Sequence, residues 1–171
     1  MPILNDIQFI LHRDFEAPNQ NRFIETHPDF VQEITITSNS CSFKSYKYDK
    51  TLPKHPGGLF PFFAQNPGVQ KVSDYILFVE RGPQFYVLIV ELKRGKSSTI
   101  AQLQASKCFV NYVIKTVNRV QNTHLEPQIR LISISARKRE KRPTKEKPVQ
   151  YDVNDHTEFN KGIFSLRSFL L

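Results

Sequence analysis

Three charged side chains, Asp74, Glu91 and Lys93, stand at the ends of two apolar segments that are separated by a turn. If these segments pair as a hairpin about Gly82-Pro83, Asp74 lies opposite Glu91, and opposed residues point to the same face of a sheet. Lys93 shares that face through the two-residue period of a strand. Two facing carboxylates repel each other. A divalent cation is the natural compensation, because hard cations prefer carboxylate oxygens.

Local patterns predict the elements that position these residues. Residues 75–79 and 85–90 are unbroken apolar runs typical of buried strands, and 81–84 has the glycine and proline of a turn. After a serine- and threonine-rich start, apolar residues at three- and four-residue spacing predict a helix of about 20 residues that ends near Val120. Residues 128–135 predict another strand, and the helix before it would be the crossover that parallel pairing requires.

The flanking segments follow from the same kind of pattern. We predict a helix within 4–13, a short helical segment at 22–26, a hairpin or bent strand over 33–48, a loop pinned by phenylalanines over 51–69 and a last strand over 162–171.

Composition indicates a single globular domain that spans residues 1–171. Hydrophobic residues make up 39% and charged residues 23% of the chain, as in soluble proteins, and 171 residues suit one core. No apolar run approaches the roughly 18 residues of a membrane span, and the start lacks the features of a signal peptide. Cys41 and Cys108 are too few for a disulfide framework, so we expect a reducing, cytoplasmic compartment and no membrane partner.

The formal net charge of +8 favours a polyanionic partner such as nucleic acid. Lys44 and Lys47 alternate with aromatic residues, and 136–148 is predicted to be a flexible basic loop. A solvated strand face with packed lysine stems is the alternative for Lys44 and Lys47. The candidates for contact with nucleic-acid phosphates are Lys44, Lys47, Arg94, Lys96, Arg137, Lys138, Arg139, Lys141 and Arg142.

Other site chemistries have no motif in this chain. The sequence contains no Cys/His spacing for zinc, no glycine-rich phosphate loop and no Ser/His/Asp or Cys/His arrangement placed for nucleophilic catalysis. The two acids and the lysine therefore carry the chemistry that the sequence supports.

The order Ser73-Asp74, then Glu91-Leu92-Lys93, then a helix bearing Gln102 resembles the PD-(D/E)XK nuclease superfamily over about 72–134. The resemblance implies a restriction endonuclease-like αβββαβ core of the α/β class, with a mixed central sheet flanked by helices. Two positions depart from the family pattern. Ser73 replaces the family's proline, and Ser106 stands where some branches have a tyrosine.

The resemblance also implies roles for individual residues. Asp74 and Glu91 would be ligands of Mg²⁺ or Mn²⁺, with the Leu92 backbone carbonyl as a third ligand. Lys93 would position or activate the attacking water, and Gln102 would match a glutamine that several branches place at the start of the helix. Some branches add an upstream glutamate to the metal site, for which Glu25 is the first candidate and Glu16 and Glu33 are rivals.

The expected function is therefore metal-dependent hydrolysis of phosphodiester bonds, with DNA rather than RNA as the substrate. Two alternatives stay open at this point. One is a nucleic-acid-binding module that keeps the nuclease fold without turnover, and the other is a protein-interaction subunit of a defence or repair complex. A homodimer or a larger assembly is compatible with each of them.

Overall fold

The computed structural model describes residues 2–28, 30–48, 60, 63–64, 66–93, 98–135, 148–160 and 162–170. In these residues the helices are α1 (Ile3–Ile10), α2 (Ile100–Gln121) and α3 (Leu166–Phe169), with a 3-10 turn at Arg13–Phe15. The strands are β1 (Arg22–His27), β2 (Phe30–Thr37), β3 (Ser42–Lys47), β4 (Tyr75–Arg81), β5 (Gln84–Lys93), β6 (Gln128–Ser135), β7 (His156–Phe159) and β8 (Ile163–Ser165).

Five strands form the larger sheet in the order β3-β4-β5-β6-β7. The first three pair antiparallel, whereas β5, β6 and β7 run parallel, and α2 makes the crossover between β5 and β6. The predicted hairpin register is confirmed, because Tyr75 lies opposite Val90 and Arg81 opposite Gln84. The predicted crossover helix and the strand over 128–135 are confirmed as well.

A second sheet, which the sequence did not indicate, has the order β1-β2-β8. The helical prediction for 22–26 is wrong: this segment is β1, which pairs antiparallel with β2. Its period is that of a strand, because Phe23 is fully buried while its neighbour Arg22 is exposed. Residues 33–48 were predicted as a hairpin or a bent strand, and the hairpin is wrong, because β2 and β3 lie in different sheets and do not pair. Asn39 and Ser40 adopt positive φ in a turn that carries the chain from β2 in one sheet to β3 in the other.

The two faces of the larger sheet are covered in different ways. On one face, which we call the helix face, α1 and α2 pack over Ile76, Val87, Ile89 and Leu131. On the other, the sheet face, the second sheet and α3 pack over alternate residues of β4, β5 and β6. The fold is therefore a mixed α/β arrangement of two sheets that is rich in strands. Helices flank the mixed central sheet as expected, but a second sheet, together with the short α3, covers one of its faces. The restriction endonuclease-like αβββαβ core stays a prediction.

The C-terminal part contains one more strand than predicted. β7 extends the larger sheet by pairing with β6, and the predicted last strand is the short β8 followed by α3. β8 pairs with β2, so a parallel contact between distant parts of the chain decides its place. Among the described residues, no helix is both long enough and apolar enough to cross a lipid bilayer.

Candidate functional site

Asp74 and Glu91 meet at the open end of the β4–β5 hairpin. The Asp74 backbone N–H donates to Glu91 Oε2 at 3.2 Å, and the Leu92 N–H donates to Asp74 Oδ2 at 2.6 Å. Each carboxylate thus accepts from the main chain of the opposing segment. The structure brings these two predicted residues together as the hairpin register requires, and both lie at the helix-face end of the sheet because they continue the alternation of Ile76 and Ile89.

Glu91 is only 6% exposed, although it stands beside a second acid. A buried carboxylate needs compensation, because removal from water disfavours its charged form and a neighbouring negative charge adds to that cost. Main-chain N–H donors supply part of this compensation. The α2 helix begins at Ile100, next to this end of the sheet, and the positive end of a helix dipole favours negative charge nearby.

Two contacts hold the start of α2 over the strand ends. Ser106 Oγ accepts from the Ser73 N–H at 2.6 Å, and the Thr99 hydroxyl bonds the Ser133 hydroxyl. Thr99 occupies the N-cap position, but its side chain makes no capping bond to the helix. Gln102 lies between these two anchors, one turn before Ser106 on the same side of α2. The structure therefore places Gln102 at the acidic end of the sheet, and Ser106, which breaks the family pattern, supports the segment that carries Asp74.

Lys93 follows the predicted alternation but contacts a different acid. Its Nζ lies 3.0 Å from Oε1 of Glu158 on β7. Lys93 and Glu158 come from β5 and β7, with β6 between them. The β6 residues in register with this region are Ser133, opposite Glu91, and Ser135, opposite Lys93, and both are small. A long lysine side chain can cross β6 because these serines leave the room.

A row of polar side chains, Ser133, His156 and Asp152, runs beside this ion pair. His156 Nε2 lies 2.8 Å from Ser133 Oγ, and His156 Nδ1 lies 3.7 Å from Asp152 Oδ2. Backbone N–H groups of His156 and Asn154 donate to Asp152 and hold the pKa of its carboxyl below the usual value. The order Asp, His, Ser is that of a nucleophilic triad, which the sequence did not indicate. Ser133 is fully buried, so no substrate can reach its oxygen, and the row instead ties α2 to β6 and β7.

An aromatic wall borders the site on the β3 side. The Tyr48 N–H donates to the Asp74 carbonyl at 3.4 Å, and the Tyr48 ring packs 5.1 Å from that of Phe109 on α2. Phe60 lies 5.5 Å from Phe109, while most of the predicted loop over 51–69 lies outside the described residues. Burial raises the pKa of the Tyr48 hydroxyl well above its ordinary value, so this wall is uncharged at neutral pH.

The donor set suits a magnesium-like ion better than a metal held by protein ligands alone. Within the described ranges, no three or more His, Cys, Asp or Glu side chains are grouped closely enough to hold a metal. The chain thus offers the Asp74–Glu91 pair of carboxylates. Mg²⁺ is usually bound through one or two carboxylates together with waters and substrate phosphates, so the pair fits such an ion. The Leu92 carbonyl remains a predicted ligand.

The other predicted acids lie elsewhere. Glu25 is on β1 in the second sheet, where the neighbouring Ile24 N–H and carbonyl both bond the Tyr75 hydroxyl at 2.9 Å. Glu33 pairs with Arg22 at 2.5 Å. Glu16 accepts from the Gln8 side chain at 3.3 Å. Of the three, Glu25 is the one whose neighbour contacts Tyr75, the residue after Asp74.

The two predicted phosphate-binding lysines of β3 are half-buried. The Lys47 ammonium donates to the Ile24 carbonyl at 2.9 Å and lies 5.0 Å from the centre of the Tyr75 ring. Lys44 is in register with Phe78. Lys47 therefore packs against the protein, as in the alternative of packed lysine stems. The remaining predicted phosphate contacts lie outside the described residues: Arg94, Lys96, Arg137, Lys138, Arg139, Lys141 and Arg142.

Sequence reasoning missed Glu158, Ser133 and His156. In register, Glu91, Ser133 and Glu158 form one row across β5, β6 and β7. Ser133 lies in a strand that was predicted correctly, so its position next to Glu91 could have been inferred from the parallel register. Glu158 and His156 could not, because the four-residue strand β7 has no distinct local pattern. Comparison with protein-family models, with curated proteins and with solved structures gives no match for this chain.

Proposed function

We propose that the protein is a metal-dependent nuclease that hydrolyses phosphodiester bonds, with DNA as the expected substrate. The observation that carries this proposal is the meeting of Asp74 and Glu91 at the open end of an antiparallel hairpin, with each carboxylate bonded to the opposing main chain. Placing the buried Glu91 beside the half-buried Asp74 costs folding free energy, so a role for their charge is the simplest reason to keep them.

Asp74 and Glu91 would hold Mg²⁺ or Mn²⁺ through carboxylate oxygens, with the Leu92 carbonyl beside them. Such an ion, when bound, lowers the pKa of water and neutralises charge on the phosphoryl group. The chain's own residues have separate tasks. The first turn of α2 presents backbone N–H groups, which suit a phosphate. Gln102, in the same turn, would orient the substrate or the attacking water beside Asp74 and Glu91. Lys93 contributes a positive charge for the phosphorane.

The order of elements supports the family-like reading. When β1 and β2 are left out, the chain order α1, β3, β4, β5, α2 and β6 corresponds to an αβββαβ series. β1 and β2 are inserted after α1 and build the second sheet, while β7 and β8 extend the two sheets at the C-terminal side. In this interpretation the second sheet is an addition that covers the face opposite the proposed site.

The test is cleavage of plasmid, linear and single-stranded DNA and of RNA, with Mn²⁺ or with EDTA. We expect metal-dependent cleavage by the wild type, and Asp74→Asn, Glu91→Gln and Lys93→Ala should each reduce the rate by about 100-fold or more. Glu126→Gln removes the same charge from an exposed position between α2 and β6 and should cleave like the wild type. Full activity in any of the three site variants would refute the assignment.

One observation favours a second candidate, a nucleic-acid-binding protein of nuclease fold without turnover. The Lys93 ammonium is bonded to Glu158 at 3.0 Å rather than to the Asp74–Glu91 pair. Salt-sensitive binding of DNA without cleavage in either Mg²⁺ or Mn²⁺ would select this function.

A further inference from the structure

The Lys93–Glu158 ion pair joins two strands that are not neighbours in the sheet. β5 and β7 are two strand spacings apart, roughly 10 Å, and a direct contact across β6 needs a long side chain and small residues beneath it. Ser133 and Ser135 of β6 provide the small residues, and Lys93 provides the length. The ion pair therefore lies over β6, at the same end of the sheet as Glu91, which is in register with Ser133.

The two partners differ strongly in exposure. The Lys93 side chain is 12% exposed, whereas the Glu158 side chain is 63% exposed. The Lys93 side chain is mostly buried, yet its hydrogen bond to Glu158 lies in an exposed position, so the ammonium is presented to solvent beside this carboxylate. Here the anion is the Glu158 carboxylate, which faces solvent and belongs to β7, the last strand in the order of the larger sheet. Among the described residues, the exposed carboxylate that a ligand meets at the Lys93 ammonium is that of Glu158.

We propose that Glu158 is a positioning residue that occupies the Lys93 ammonium as a stand-in for a substrate phosphate. In the free protein Glu158 satisfies Lys93, and a nucleic-acid phosphate takes its place when substrate binds. This inference rests on the proposed function, since it concerns the residue of the same site, Lys93, that would contact a substrate phosphate. It adds a third acid, from a strand that the family resemblance does not include, to Asp74 and Glu91.

The physical basis is competition between two anions for one cation. Release of the exposed Glu158 carboxylate is inexpensive, because water solvates it again and an exposed ion pair contributes little to stability. A phosphate brings more negative charge and stronger acceptors to the same ammonium. Glu158 thus holds Lys93 in place without blocking it permanently, and substrate affinity includes the cost of displacing the carboxylate.

The test is a double-mutant cycle on DNA affinity, measured by fluorescence anisotropy with a labelled duplex in EDTA so that no cleavage occurs. Glu158→Gln should tighten binding about fivefold, because the competing charge is gone. Glu158→Asp keeps the carboxylate and should restore an affinity close to that of the wild type. In a Lys93→Ala background, Glu158→Gln should have no effect, since no ammonium remains to compete for.

Glu126→Gln is the control for a general loss of negative charge, because Glu126 is exposed and lies between α2 and β6. Two results would refute the role of Glu158 as a stand-in for a substrate phosphate, which we call its placeholder role. One is that Glu126→Gln tightens binding as much as Glu158→Gln, and the other is that the effect of Glu158→Gln persists without Lys93. Absence of any DNA binding refutes it as well.

Kinetics in Mn²⁺ separate this inference from the proposed function. For an active enzyme, Glu158→Gln should lower KM with kcat little changed, whereas a merely structural role would lower kcat or stability. If no variant cleaves but the affinity cycle shows the expected coupling, the nuclease proposal fails and the placeholder role stands. If the wild type cleaves and the coupling is absent, the placeholder role fails and the nuclease proposal stands.

Discussion

The two ends of the β4–β5 hairpin use charged residues in opposite ways. At the turn, where Gly82 adopts a φ of +57°, one charged side chain goes to each face of the sheet. Glu80 accepts from the Ile3 N–H at 2.5 Å on the helix face, and Arg81 donates to the Leu170 carbonyl at 3.3 Å on the sheet face. Each of them attaches a segment from one end of the chain to the central sheet.

At the open end both acids belong to the helix face, and each accepts a hydrogen bond from the main chain of the opposing segment. Glu91 is buried there, and Lys93 and Glu158 add a second pair of charges over β6. At the turn end the charged side chains attach other segments to the sheet, and these contacts favour folding. At the open end two carboxylates lie side by side, and their repulsion opposes folding. The difference teaches that residue type alone does not mark a site, since both ends carry an acid and a base.

The largest effect on stability is expected at the turn end. Glu80→Ala removes the acceptor of the Ile3 N–H and loosens the start of α1, so the free energy of unfolding should fall by about 2 kcal/mol. Urea denaturation measures the change, with Glu126→Ala as the exposed control. A loss below about 0.5 kcal/mol would contradict the attachment role of Glu80.

A divalent cation should affect only the open end. Mn²⁺ at about ten times its Kd should raise the free energy of unfolding of the wild type by about 1.4 kcal/mol, because a ligand that binds the folded state stabilises it. Glu91→Gln should abolish this gain, while Glu80→Gln, which removes a carboxylate from the same hairpin, should keep it. Thermal unfolding with and without Mn²⁺ gives the comparison. Equal stabilisation of both variants would place the cation elsewhere.

The smallest effect concerns Asp152, which supports His156 beside the open end. Its folded-state pKa is lowered, mainly by backbone hydrogen bonds from His156 and Asn154, so its stabilisation is present above its ordinary value of 3.8 and is lost as the pH falls through the folded value. Asp152→Asn should therefore be slightly less stable than the wild type at neutral pH and should match it in strong acid. Urea denaturation at several pH values tests this, and a difference that stays constant into strong acid would contradict it.

Local patterns predicted the centre of this fold well. The hairpin, the crossover helix and the strand over 128–135 are contiguous stretches whose periodicity and turn residues lie close together in the chain. The hairpin register also followed from the sequence, because a short turn leaves little freedom in how its two strands pair. Asp74 could therefore be set opposite Glu91 before the structure was known.

The flanks could not be predicted in the same way. The short strands β7 and β8 depend on partners that are not next to them in the chain, and β8 pairs with β2 in parallel over three residues. Such strands carry little periodicity of their own, so their pairing is decided by packing against the rest of the protein. The helical prediction for 22–26 failed although β1 pairs with its neighbour β2, and the second sheet that these two strands form with β8 was not predicted.

The sequence by itself determined that two acids face each other at one end of a hairpin, because residues joined by a tight turn have a single favourable register. Only the tertiary structure decided that Lys93 meets Glu158. The two residues are 65 positions apart, and their contact depends on a parallel edge strand and on two serines that leave space above β6.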